Sequence, residues 1–141
     1  MSTQVSVYLG SNQATSATVY ATIEFDTVLF DDDSEFESVG SYSVSPAATG
    51  RFLVTYQVRF SVANADDSLR VQLQVHGTTV VQHEVEASDT GNMCIAGSKV
   101  VELSVAGGQI LLKATNQDDA DNIESGSSNT FMTVSYLGDI P

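Results

Sequence analysis

The sequence predicts an all-β domain, folded as a sandwich, jelly roll or barrel. Apolar residues recur with period two along long runs, and glycines with acidic stretches punctuate those runs. No segment carries a 3.6-residue apolar stripe. The 141 residues make one domain with one core, 42% of them hydrophobic. No run of 18 apolar residues is present, so no transmembrane helix is expected.

Residues 1–16 are rich in Ser, Thr, Gln and Asn, with Val5, Val7 and Leu9 alternating among them. They are expected to be either a first strand or an attachment arm, with those three residues free to add a strand to a partner. The jelly-roll domain would occupy 17–141. Its first run places Val19, Ala21, Ile23, Phe25, Thr27 and Leu29 on one face. The next is longer: Phe52, Val54, Tyr56, Val58, Phe60 and Val62 alternate with mostly polar residues, giving a strand with one face in a core.

Residues 71–85 read as a hairpin. A three-residue turn at Gly77-Thr78-Thr79 would pair Val75 with Val81, Leu73 with His83 and Val71 with Val85, keeping the apolar face whole. A further hairpin is expected where Val101, Leu103 and Val105 enter Ala106-Gly107-Gly108 and Ile110, Leu112 and Ala114 leave it. The last strand spans 130–137. Loops are expected at 31–40, 63–68, 87–98 and 116–129.

Several of these blocks resemble the globular heads of the C1q and tumour-necrosis-factor superfamily. Ile23, Phe25, Leu29 and Phe36 are similar to that family's opening block. Tyr42, Pro46, Gly50, Phe52, Val54 and Tyr56 resemble its aromatic, proline, glycine, aromatic-strand signature. Val101-x-Leu103, Gly107-Gly108 and Ile110-x-Leu112 resemble its Leu-x-Leu, Gly-Asp, Val-x-Leu block, with Gly108 in place of the Asp. Phe131 to Leu137 resemble its closing strand, without the glycine expected just after Phe131. The resemblance implies an antiparallel two-sheet jelly roll that assembles as a homotrimer and acts as a non-enzymatic ligand-binding or receptor-binding head. Phe52, Val54, Tyr56, Val58, Phe60, Phe131 and Tyr136 would then form its core and trimer contacts. Tyr20, Val28, Phe30, Leu53, Leu111 and Met132 are the surplus apolar residues that sister copies would cover.

An enzyme needs a constellation, and the sequence offers none by motif: no nucleophile elbow, P-loop, GxGxxG or HExxH. His76 and His83 are not cross-strand partners in the hairpin above, so a shared metal or acid–base pair is not expected. His83 is read as a core or interface histidine with a hydrogen-bond partner. Cys94 stands alone and is read as a small buried hydrophobe.

Charge is sparse but one-sided. Eighteen acids face five bases, a net charge of -13, which excludes a nucleic-acid backbone and disfavours an anionic membrane. The densest run, Asp31-Asp32-Asp33-Ser34-Glu35, is the candidate calcium loop, and calcium is the one cofactor the sequence suggests. The alternative is a solvated loop. Eleven aspartates and only two lysines suit a high-salt setting, a halophilic host included. The opening residues lack the basic-then-apolar pattern of a secretory signal. The expectation is therefore a virion protein, a capsid decoration or a spike or fibre head, attached to the major capsid protein or another virion component and facing a host receptor or glycan. A secreted or cell-surface C1q-like module that binds a protein or glycan is the alternative.

Overall fold

A computed structural model describes residues 3–118 and 120–141. Strands β1 (Gln4–Tyr8), β2 (Gln13–Ala14), β3 (Ala21–Thr22), β4 (Thr27–Asp31), β5 (Phe36–Glu37) and β6 (Ser43–Val44) precede the long β7 (Gly50–Val62). Then follow β8 (Ser68–Val75), β9 (Thr78–Glu86), β10 (Gly91–Leu103), β11 (Ile110–Asn116), β12 (Asn122–Ile123) and β13 (Phe131–Gly138). All pairings are antiparallel, in two sheets. The first runs β4-β1-β13-β7-β10, with β12 and β2 added beside the end of β7; the second runs β5-β6-β11-β8-β9, with β3 on β11. The alternation leaves a sandwich, jelly roll or barrel open, and the observed fold is the antiparallel two-sheet jelly-roll sandwich that the family resemblance implies.

The core lies between the sheets. β7 alternates buried and half-buried along all 13 residues, because a strand in mid-sheet turns every second side chain inward. Phe52, Val54, Tyr56, Val58 and Phe60 are at most 2% exposed. Facing them, Leu69, Val71, Leu73, Ile110 and Leu112 are fully buried on the second sheet. Each such side chain contributes about 1.5–3 kcal/mol of burial.

The structure corrects several sequence expectations. Of the two readings for residues 1–16, a first strand or an attachment arm, the described part fits the strand: β1 is hydrogen-bonded on both sides, to β13 and β4, and Val5, Val7 and Leu9 are buried core residues. They have no open edge to offer a partner. The run from Val19 breaks in two. Val19 is exposed, and a bulge in β4 opposite Ser6/Val7 shifts the register so that Leu29 faces solvent.

The β8–β9 hairpin turns tightly at His76-Gly77, whose φ angles of 48° and 80° give a two-residue turn with both central residues left-handed. Val75 pairs with Thr78, Val80 is bulged outward, and Val71 rather than Leu73 faces His83. The bulge restores the parity that the three-residue turn was meant to supply. Nor do β10 and β11 form a hairpin. β10 pairs with β7 and β11 with β8, so the Gly107-Gly108 turn carries the chain from one sheet to the other. Residues 91–98, expected as loop, belong to β10, and there Cys94 is exposed rather than buried.

β10 has an inner face of Met93, Ile95, Gly97, Lys99, Val101 and Leu103. Its gap at Gly97 is filled from opposite sides: Tyr56 Oη and His83 Nε2 meet at 2.6 Å, tying the first sheet to β9 of the second. Burial pushes the Tyr56 phenol above its ordinary value of 10.0. A methyl group on Gly97 would lie 2.7 Å from Tyr56 Oη and 3.1 Å from His83 Nε2. Gly97→Ala is therefore expected to destabilise by about 1–3 kcal/mol in urea unfolding. Adding Tyr56→Phe should recover part of that loss, and an unchanged midpoint for Gly97→Ala would refute the steric account.

Candidate functional site

Three places could carry function: the histidines, the acidic loops and the outward face of the first sheet. His76 sits in the tight turn and His83 is engaged by Tyr56, as the hydrogen-bonded reading of His83 expects. Among the described residues no serine hydroxyl bonds to either ring. The arrangement offers a half-buried polar tie between the layers.

The calcium loop does not converge. Asp31 spends both carboxylate oxygens on the backbone, accepting from Glu35 N at 2.8 Å and Phe36 N at 2.9 Å. Glu35 turns inward, 8% exposed, and Oε2 accepts from Ala47 N at 2.5 Å. Asp32 and Asp33 face solvent. Backbone amides thus occupy both oxygens of Asp31 and one of Glu35, while Glu35 Oε1 is buried without a hydrogen-bond partner. Among the described residues no group of three or more His, Cys, Asp or Glu is placed to hold a metal ion.

A polar cluster missed in the sequence lies at one end of the sandwich. Asn116 is fully buried at the end of β11, and Nδ2 donates to Asp67 Oδ2 at 2.9 Å and Asp121 Oδ2 at 2.6 Å. Both aspartates are buried too. Thr15 adds a reciprocal pair with the Asp121 backbone: Oγ1 accepts from Asp121 N at 2.9 Å and donates to Asp121 O at 3.1 Å. The cluster joins three connections that are far apart in the chain. No local motif marks it, since each residue taken alone reads as loop.

The outward face of the first sheet has a consistent character. Register sets three rows across its middle: Gln4, Ser135, Leu53, Val100; then Ser6, Thr133, Thr55, Ser98; then Tyr8, Phe131, Gln57, Ala96. None of these carries a formal charge. Phe30 extends the middle row at the β4 edge, exposed like Val28 and Val100. Charges flank the rows: Arg51 pairs with Glu102 at 3.1 Å at one end, and Arg59 lies toward the other.

The expected contact residues separate accordingly. Phe52, Val54, Tyr56, Val58 and Phe60 point inward and cannot reach a second copy. Phe131 is half-buried on the outer face, and Tyr136 packs edge-on against Phe52 with ring centres 5.5 Å apart. Of the surplus apolar residues, Met132 is core, Phe30 and Leu53 lie on the outer face as expected, and Val28, opposite the core residue Val7, is exposed at the sheet edge.

The outer face of the second sheet is also free of acids across its middle, where Lys113, Gln72 and Gln82 and then Leu111, Gln74 and Thr79 stand side by side. The two described ion pairs, Arg51–Glu102 and Arg70–Glu84, are partly exposed and worth little. With a net charge of -13 the folded chain repels itself. Its melting temperature should rise by about 4–8 °C from dilute buffer to molar salt, for roughly 2 kcal/mol of screened repulsion. A flat profile would remove this reading.

No protein-family model matches the chain, and comparison with curated proteins gives no match. Solved structures do match over nearly all of it. Murine APRIL at pH 8.0 superposes with a TM-score of 0.70 at 15% identity, over 97% of this chain and 100% of that one. The globular domain of zebrafish complement 1qA gives 0.72 at 10% identity, covering 98% and 99%. The TNF protein Eiger from S. frugiperda gives 0.70 at 12% identity, covering 99% and 96%. The chain has the C1q/TNF-like jelly-roll fold. Among the described residues no helix is long and apolar enough to cross a membrane.

Proposed function

We propose that the protein is a non-enzymatic homotrimeric head, whose copies bury their uncharged sheet faces against one another and turn acidic loops outward. One observation carries this reading: the three charge-free rows on the first sheet. Copies that each carry -13 repel wherever acids meet, so association is favoured on a face without charge. A symmetric closed assembly covers that face on every copy. The C1q/TNF-like fold supports the same arrangement, since the family resemblance implies trimeric binding heads.

The setting we favour is the exterior of a virus particle, as capsid decoration or as the head of a spike or fibre. A rigid trimer with outward acidic loops suits contact with the major capsid protein or another virion component below and a host receptor or glycan above. Attachment through residues 1–16 is not part of this proposal, because β1 is spent in the core. An extracellular recognition module is the second reading, favoured by the polar cleft described below. Sedimentation velocity should give a trimer at micromolar concentration; a monomer would overturn both readings. Stoichiometric recovery with purified particles supports the first, and its absence from them the second.

A further inference from the structure

We propose that the cleft between residues 9–14, residues 21–26 and Tyr42 binds a neutral hexopyranose unit of a glycan. This goes beyond the assembly reading and does not depend on it, because one chain supplies the whole lining. The cleft encloses about 530 Å³, within the range of small-molecule sites.

Two of its polar residues, Asn12 and Asp26, have one end pinned by the protein and the other left over. Asn12 Oδ1 accepts from Ser125 N at 2.8 Å, leaving the amide nitrogen as a free donor. Asp26 Oδ1 accepts from Gly10 N at 2.6 Å, leaving Oδ2. The approach is close: a methyl group on Gly10 would lie 2.5 Å from Thr27 Oγ1 and 2.7 Å from Asp26 Oδ1, so both side chains would have to shift. Gln13 is used at both ends, donating to Thr22 O at 3.0 Å and accepting from Glu24 N at 2.8 Å. It thereby clamps the two walls together and holds Glu24 in place. The Glu24 carboxylate and the Ser11 hydroxyl make no hydrogen bond among the described residues. Tyr42, half-buried and held at φ 48°, supplies an aromatic ring at the rim.

The free groups select the ligand class. Two carboxylates repel an anion. A cation would use the acceptors but leave Asn12 Nδ2 and Ser11 Oγ idle, and ion pairing in so open a cleft is weak. A sugar ring uses everything: hydroxyls donate to Glu24 and Asp26 in charge-assisted bonds and accept from Asn12 and Ser11, and its C–H face lies on Tyr42. Because Asn12 and Asp26 are pinned beforehand, ordering on binding is confined to the Glu24 and Ser11 side chains.

The test is an amide NMR titration of the ¹⁵N-labelled protein with methyl glycosides of glucose, galactose and mannose. Saturable shifts at Ser11, Asn12, Glu24, Asp26 and Tyr42 are expected for at least one of them, with a dissociation constant of roughly 1–10 mM. Tyr42→Ala and Glu24→Gln should each weaken binding about tenfold or more. Glu24 is exposed, so the second variant guards against a folding defect in the first. No saturable shift with any glycoside overturns the proposal, as does binding unchanged in both variants. Saturation by arginine methyl ester alone would overturn it in favour of a cationic ligand.

Discussion

Replacing Asn116 with leucine is expected to cost about 3–5 kcal/mol of stability, read as a lowered urea midpoint with an unchanged slope. The side chains are of similar size, so the change is chemical rather than a cavity. Asn116 Nδ2 bonds two carboxylates, Asp67 and Asp121, which are 3% and 7% exposed. A hydrogen bond to a charged group contributes about 1.5–3 kcal/mol, and removing a donor from a buried anion leaves its desolvation uncompensated. Among the described residues no arginine or lysine is ion-paired with either aspartate. Asn116→Asp keeps the shape, loses the donor and adds a third carboxylate, so it should be at least as damaging. A loss below about 1 kcal/mol in both variants would show that the cluster is satisfied by other means.

The strands legible in the sequence were those in mid-sheet with one face buried. β7 is the clearest case, and its expected inward residues are the inward residues observed. Parity failed at the bulge at Leu29, because one extra residue flips every side chain beyond it, whereas the bulge at Val80 leaves Val81, His83 and Val85 on the expected face. β10 escaped notice because Gly97 and Lys99 interrupt its inner face. The interruption has a cause in a distant strand: His83 and Tyr56 fill the space above Gly97. The Gly107-Gly108 pair does announce a reversal, but a turn signature does not reveal which strands lie beside it. Those partners are set by the crossover between sheets.

The candidate surface was hidden for a related reason. A search for surplus apolar residues finds Val28, Phe30 and Leu53 but passes over Ser6, Thr55, Thr133 and Ser98, which read as an ordinary solvent face. Only the register places them in one row, and only the row shows that charge is missing from it. In a chain with eighteen acids, that absence is the informative feature.

Thr55→Asp is expected to convert the trimer into folded monomers. Thr55 lies in the middle row, between Thr133 on one side and Ser98 on the other. In the isolated chain this position is half-exposed, so the carboxylate stays hydrated and the fold loses little, within about 1 kcal/mol. In the proposed trimer the same carboxylate would be buried without a cation, and symmetry would repeat it on each copy. Each unpaired buried charge costs several kcal/mol, so assembly should weaken by at least about a thousandfold, or ~4 kcal/mol. Sedimentation velocity would show the loss of the larger species, and circular dichroism would show the β signal retained. Ser38→Asp adds the same charge on an exposed loop and should leave the assembly intact, which separates burial from added net repulsion. A Thr55→Asp protein that sediments as a trimer would place the contact on another surface. The cleft beside Tyr42 would then be the one candidate binding surface still standing, since none of its residues belongs to the three rows.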